Sequence, residues 1–337
     1  MKRTRLITVC MFLMFAVFSG TSHAAAPAGF IGWGTVTTSS GGMIPAWSWN
    51  AAASTWSAAP VASGSDVYLY PWTSSWAWTW TQASGWRAVH QSYVFAHGTT
   101  TTVFIDDFSG SPGAYADAAR WKYESGPYGY ARDACFAKNN AVTNGAGQFV
   151  ITGRKESIAG CSRAYTAGSV ETPQTFGPPE PGQIITMEAR IKAPCGSGQW
   201  PAFWTTGVAD SWPAHGEIDM VEIYGNDPFV AAHDQHASTT AGGRWHKQHP
   251  IRSGSAWCNS FHVFGVRWST GRLDYMIDGS ITASISRSVT QTGQIWAWDS
   301  YAQQLKLNLA LGSDAGTVDE TRLPSQMLVD YVRVTSN

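Results

Sequence analysis

From Val103 to the C-terminus the chain is a succession of short strand-like runs: VFIDDF, QFVITGRK, IITMEARIK, WPAFWTTG, EIDMVEIYG, FHVFGVRW, RLDYMI, ITASIS, LKLNLALG and MLVDYVRV. Each run is rich in β-branched and aromatic residues. Gly, Pro, Ser and Asn separate them, which is the punctuation of strands. No amphipathic helix of ordinary length can be traced. Asp278-Gly279, between RLDYMI and ITASIS, predicts a two-residue hairpin turn, because both positions of that turn need positive φ. About 235 residues written this way predict one large all-β domain, an antiparallel sandwich or barrel.

The start of the chain reads differently. Lys2, Arg3 and Arg5 precede an apolar run from Leu6 to Phe18, and Ser22-His23-Ala24 closes it with small residues at the key positions. Residues 1–24 are therefore expected to be a secretory signal peptide, since the apolar run falls short of the ~20 residues a membrane span needs. A secreted protein with no membrane attachment after cleavage is the expectation. Cys10 leaves with the signal, and Cys135, Cys161, Cys195 and Cys258 remain. Four cysteines in an exported chain predict two disulfides, with three possible connectivities. The expected pairs are Cys135–Cys161 and Cys195–Cys258. Cys195 closes one strand-like run and Cys258 opens another, so antiparallel neighbours would bring these two thiols to the same end. Four free buried thiols are the alternative.

Half of the 18 Trp residues precede residue 90. AWSWNAAASTW, from Ala46, echoes AWTWTQASGW, from Ala77. The spacing W-x-W puts two rings on one strand face, and the small polar stretch after it can turn the chain. Residues 25–95 are thus expected to form a small module of Trp-bearing β-hairpins. Its rings either bind carbohydrate or pack on one another. Residues 96–102 read as a linker, and residues 103–337 as the main domain.

Net charge is −1 and charged residues make up 13%, about half the usual ~25%. No basic stripe is present, which argues against a nucleic-acid partner. With 18 Trp and 12 Tyr, the chain suits neutral ligands that stack on rings, sugars above all. It is expected to act as a monomer.

The run HGEIDMVEIYG carries the chemistry. Glu217, Asp219 and Glu222 fall within six residues of an otherwise apolar stretch. On a helix they would sit at roughly 0°, 200° and 140° and could not converge. On a regular strand Glu217 and Asp219 share a face, and Glu222 points away. One extra residue at Met220-Val221, a β-bulge, would return Glu222 to their side. A retaining glycosidase needs two carboxyls ~5–5.5 Å apart, one to attack the anomeric carbon and one to shuttle a proton. A third acid between them can hold their pKa values apart. A solvated acidic strip is the plainer reading. Against it stand the apolar flanks Ile218, Met220, Val221 and Ile223, and the upstream rings Trp200, Trp204 and Trp212.

The run E-I-D-M-V-E resembles the signature of glycoside hydrolase family 16, in the E-x-D-x-x-E form of its laminarinase-like members. WKYESG, GQWPAFWTTG, WPAHGEIDMVE, FHVFGVRW, LKLNLALG and MLVDYVRV are similar to the family's landmarks and stand in the family's order. The resemblance implies a β-jelly-roll sandwich of two antiparallel sheets whose concave face holds a polysaccharide. It implies Glu217 as nucleophile, Asp219 as its helper and Glu222 as acid/base. It places Trp200, Trp204, Trp212, His236 and Asn308 at the substrate. It implies no cofactor for the reaction, and Asp107 and Asp330 as candidate ligands of a structural calcium ion. A rival reading takes His233, His236, His246 and His249 as zinc ligands, from their H-x2-H-x9-H-x2-H spacing.

The sequence also departs from the family's pattern. Ser169 stands where an arginine is usual, YGYARDACFA replaces a G-N-x-E stretch, and Ser313 and Asp314 replace a glycine and a tryptophan. The expected function is a secreted, retaining endo-β-glycosidase, with β-1,3-glucan of the laminarin type as first substrate. A β-linked galactan, a wall-polymer transglycosylase and a non-catalytic sugar-binding protein are the alternatives.

Overall fold

A computed structural model describes residues 101–337 except 209, 210 and 259, and between residues 32 and 96 chiefly the backbone of a set of strands. The chain divides into two compact units, residues 1–100 and 101–337. The signal segment 1–24 and the linker residues 97–100 lie outside the described residues. So do the side chains of the tryptophans in the first unit.

In the first unit seven strands form one sheet. The repeat noted above appears as two hairpins. Ala46–Asn50 pairs with Thr55–Ala58, setting Trp49 opposite Trp56. Trp76–Thr81 pairs with Gly85–His90, setting Trp80 opposite Trp86. The hairpins join edge to edge through Ala46 and Val89.

The second unit is a sandwich of a ten-stranded and an eight-stranded sheet. Among the described residues the remaining elements are only three-residue 3₁₀ turns. Its first strand is Thr101–Asp106, so Thr101 and Thr102, read as linker from the sequence, belong to this unit. They pair with the last strand, Ser325–Ser336, which also pairs with Ile184–Lys192. Pairing is antiparallel throughout both sheets except between Ala134–Phe136 and Tyr165–Ala167. Asp278 and Gly279 both have positive φ, 51° and 76°, and close the expected two-residue hairpin.

Side-chain alternation explains the sandwich. In Gln303–Leu311, Leu305, Leu307, Leu309 and Leu311 are fully buried in the core between the sheets. Lys306, Asn308 and Ala310 alternate with them and point to the opposite face. Phe203, Ile218 and Ala231 repeat this on the neighbouring strands, and Met187, Ala189, Val266 and Trp268 face them from the ten-stranded sheet. The eight-stranded sheet therefore presents polar and aromatic residues on its outer face, in strand order Ser169–Glu171, Gln303–Leu311, Gln199–Gly207, Glu217–Glu222, Val230–Ser238, Arg244–His246.

Disulfides join Cys135 to Cys161 and Cys195 to Cys258. The second lies where expected. Ile184–Lys192 and His262–Ser269 are antiparallel neighbours, with Ile191 opposite His262 just inside the bridge.

Candidate active site

The strand Glu217–Glu222 runs through the middle of the outer face, between Gln199–Gly207 and Val230–Ser238. Asp219 lies opposite Asp234 and Glu222 opposite Ala232, so three steps on one strand match two on the other. On the other side, Trp204 faces Asp219 while Phe203 faces Val221. Met220 is the extra residue. The bulge leaves Ile218, Met220, Val221 and Ile223 all in the core, and Glu217, Asp219 and Glu222 all on the opposite side. The apolar pair at the bulge makes this stable, since both side chains find packing partners.

Each glutamate holds a tryptophan. Trp212 Nε1 donates to Glu217 Oε2 at 2.5 Å. Trp200 Nε1 donates to Glu222 Oε1 at 2.9 Å, and the Tyr224 hydroxyl donates to Oε2 at 3.2 Å. Asp219 lies between the glutamates and is 2% exposed. His236 Nε2 is 3.5 Å from Glu217, 3.4 Å from Asp219 and 3.6 Å from Asp234. Its ring stacks on His246, whose Nδ1 is 3.0 Å from Asp234 Oδ2.

Burial sets the charge state of this row. It raises Glu217 well above the ordinary glutamate value, with Asp219 adding to the rise. It raises Asp219 likewise, with Glu222 and then Asp234 adding. Glu222 is raised by burial and next by Asp234, against the lowering effect of the Trp200 indole. Packed like charges in a site of low dielectric hold protons that isolated carboxyls would release. Such a row can both keep an acid protonated and supply a carboxylate.

The remaining residues expected at the site fall as follows. Trp204 lies on the same face, and its Nε1 donates to Asn308 Oδ1 at 2.7 Å. Asn308 is therefore turned toward the tryptophan rather than left free. Trp212 is half exposed at the rim. Ser169, in the place of the usual arginine, is buried, and its hydroxyl donates to Glu124 at 2.5 Å. Glu124 and Glu171 each stand 2.9 Å from Lys306 Nζ, which lies over the rings of Tyr130 and Trp204. Burial alone would lower the Lys306 ammonium, but the two glutamates outweigh it and raise it. A buried ionic network thus fills the floor beside Trp204.

The four-histidine zinc reading is corrected. His233 and His249 pair in register, as do His236 and His246. His233 and His236 are three apart on a regular strand, so they project from opposite faces. His233 is fully buried, stacked on Tyr275 and bonded to Met220 O and Thr282. Its burial lowers its pKa to about 4.

The calcium expectation meets a constraint. Asp330 is the extra residue of a second bulge, and its Oδ2 accepts from Arg190 Nη1 at 2.7 Å. Asp107 Oδ1 accepts from the Ser109 N–H at 3.2 Å. A calcium ion there would have to use the other side-chain oxygens and backbone carbonyls.

Sequence reasoning missed Tyr224 and Asp234 as site residues. Both carried a signal: each lies two positions from a named one, Glu222 or His236, and so shares its face. Glu124 and Lys306 stood inside the landmark runs WKYESG and LKLNLALG, but nothing in the sequence joined them to Tyr130 and Glu171, because three separate parts of the chain meet there.

A sandwich whose outer sheet carries a bulged row of three carboxylates, the middle one buried and the outer two partly so, flanked by rings, defines a carbohydrate-cleaving enzyme of the two-carboxylate kind. Residues 136–333 match the sequence model of Glycosyl hydrolases family 16, and the chain belongs to that family. It is a glycoside hydrolase. It is 29% identical over 255 residues to a beta-glucanase of Rhodothermus marinus, covering 68% of this chain and 82% of that one. It is 26% identical to glucan endo-1,3-beta-glucosidase A1 of Niallia circulans, covering 69% of this chain but only 37% of that longer protein. Among solved structures, endo-beta-1,3-glucanase from Pyrococcus furiosus superposes with a TM-score of 0.62 at 29% identity, over 70% of this chain and 94% of that one. The family match, with this structural neighbour, establishes the jelly-roll sandwich.

Proposed function

We propose that the protein is a secreted endo-β-1,3-glucanase acting with retention of anomeric configuration. The observation that carries this is the return of Glu222, by the bulge at Met220, to the face of Glu217 and Asp219, with one indole N–H on each glutamate. Thr206 and Ala202, the partners of Glu217 and Glu222, are four positions apart. At a rise of ~3.3 Å per residue the two backbones are thus roughly 13 Å apart. Two glutamate side chains leaning inward over the shorter Asp219 close most of that span. The result suits the short separation of a retaining pair.

In the proposed reaction Glu217 attacks the anomeric carbon as Glu222 gives its proton to the departing glycosidic oxygen. Asp219 shares a proton with Glu217, and the carboxylate of Glu217 is restored when water, deprotonated by Glu222, cleaves the glycosyl–enzyme bond. Trp212 fixes one glutamate and Trp200 and Tyr224 the other, which holds the pair in place between steps. The kinship with beta-glucanases directs the substrate assignment.

The test is incubation with soluble β-1,3-glucan, mixed-linkage β-glucan and β-galactans, following fresh products by NMR. New reducing ends of β configuration from β-1,3-glucan are expected. Initial α products would exclude retention. Release from galactans alone would replace the substrate. Chain lengthening without new reducing ends would make the enzyme a transglycosylase, and binding without any new bonds would leave a lectin.

A further inference from the structure

The geometry points to a cleft built for a β-glucan carrying anionic groups, sulfate or carboxylate, gripped by Arg132 and Arg244 on either side of the cleavage point. This rests on the glucanase reading and refines its substrate. The Arg132 guanidinium lies over the ring of Trp200 at 4.7 Å, and that of Arg244 over the ring of Trp212 at 5.7 Å. Those are the two indoles that donate to Glu222 and Glu217. Each end of the carboxylate row is thus a glutamate, a tryptophan and an arginine in series.

What sets these arginines apart is the lack of an anion. Two other arginines also lie over rings: Arg190 over Phe261 and Arg333 over Tyr331. Both hold a carboxylate as well, Asp330 at 2.7 Å and Glu188 at 2.5 Å. Neither Arg132 nor Arg244 has an ion pair or side-chain hydrogen bond among the described residues, and Arg132 Nε is buried with no acceptor. A buried donor left unpaired is unfavourable unless a ligand completes it. Arg132 is also held at a φ of 58°, rare for a long side chain and frequent in ligand clamps.

The floor between the arginines is acidic: Glu217, Asp219, Glu222 and Asp234, with His236 among them. It suits an uncharged stretch of sugar at the bond to be cut, and it would repel anionic groups there. The flanks do the reverse. A planar guanidinium presents paired N–H donors along its edge that match two oxygens of a carboxylate or a sulfate, while its flat face stays stacked on the indole. A plain glucan offers only neutral hydroxyls, which use little of that capacity.

The experiment uses the full chain carrying Glu217→Gln, so that the polymer survives. Binding is measured by calorimetry to length-matched β-1,3-glucan oligosaccharides that are neutral, sparsely sulfated or sparsely carboxymethylated. At low salt at least one anionic form is expected to bind about tenfold or more tightly than the neutral one, the scale of a charge-assisted hydrogen bond. Whichever anion is preferred is the one the two guanidinium forks fit better. Adding Arg132→Gln and Arg244→Gln together should reduce that ratio to near one. Arg132→Lys with Arg244→Lys, which keeps charge but loses the planar fork, should leave an intermediate ratio and serves if the Gln pair folds poorly. A ratio unchanged in the double variant, or no anion preference in the parent, overturns the proposal. Hydrolysis of neutral laminarin by the unsubstituted enzyme without any anion preference overturns this inference alone. Failure to bind all three oligosaccharides overturns the glucanase reading with it.

Discussion

Glu222 and Asp219 illustrate how much a single buried carboxyl decides. Glu222 lies above the ordinary value of 4.5 because of burial first and Asp234 second. As acid/base it should stay protonated beyond the usual carboxyl range, so the basic limb of the kcat/KM profile is expected above pH 4.5. Asp234→Asn removes the second cause and should move that limb to lower pH. A limb that stays put would show that Asp234 does not act on Glu222. Glu222→Gln should lower the rate on polysaccharide by roughly 10²–10⁴-fold, the range of general acid–base catalysis.

Asp219 carries a linked stability effect. Its folded-state value lies above the unfolded 3.8. The folded protein therefore holds this proton at pH values where the unfolded chain has released it. The favourable contribution is complete below about pH 3.8 and is lost as pH rises toward the folded value. Asp219→Asn has nothing to ionise, so its Tm should exceed the parent's by an amount that grows with pH above 4, even as activity falls. Thermal melts from pH 4 to 8 test this, and a variant less stable than the parent at pH 8 contradicts it.

At the scale of the element, the bulge is the device on which the site depends. Deleting Met220 leaves E-I-D-V-E, a regular strand in which Glu217, Asp219 and Glu222 still share one face. That variant should keep measurable activity. Deleting Met220 and Val221 together instead turns Glu222 into the core beside Ile218, where an uncompensated buried carboxylate is costly by several kcal/mol. The double deletion should abolish activity and lower Tm sharply, and an active, stable double deletion would contradict this parity. The parity of EIDMVE made this bulge legible in advance, because the apolar residues at both bulge positions left Glu222 a single consistent place. The second bulge, at Asp330, was not legible. Its strand reads MLVDYVRV, and either register keeps apolar residues on one face over most of its length.

The whole molecule joins two units, each with its own sheets. The second contains the entire carboxylate row and the core beneath it. Residues 101–337 alone are expected to hydrolyse soluble β-glucan at close to the full-length rate. If the Trp-bearing hairpins of the first unit bind sugar, the truncated enzyme should lose most of its adsorption to insoluble glucan. Equal adsorption would assign those rings to packing. Cys195–Cys258 closes a sequence separation of 63 residues across neighbouring strands. Its removal should destabilise by about 2–4 kcal/mol, read from urea melts of Cys195→Ala/Cys258→Ala.

The local sequence by itself determined the strands, the Asp278-Gly279 turn, the carboxylate row and the bulge that aligns it, because alternation and turn chemistry act over a few residues. Residues that share a face with a known site residue, such as Tyr224 and Asp234, were within its reach. Only the tertiary structure decided what meets across strands. It paired His233 with His249 and His236 with His246, bound Lys306 to Glu124 and Glu171, and set Arg132 and Arg244 over the two indoles. Those meetings depend on strand order and register between parts of the chain as much as 182 residues apart, and no short-range pattern encodes them.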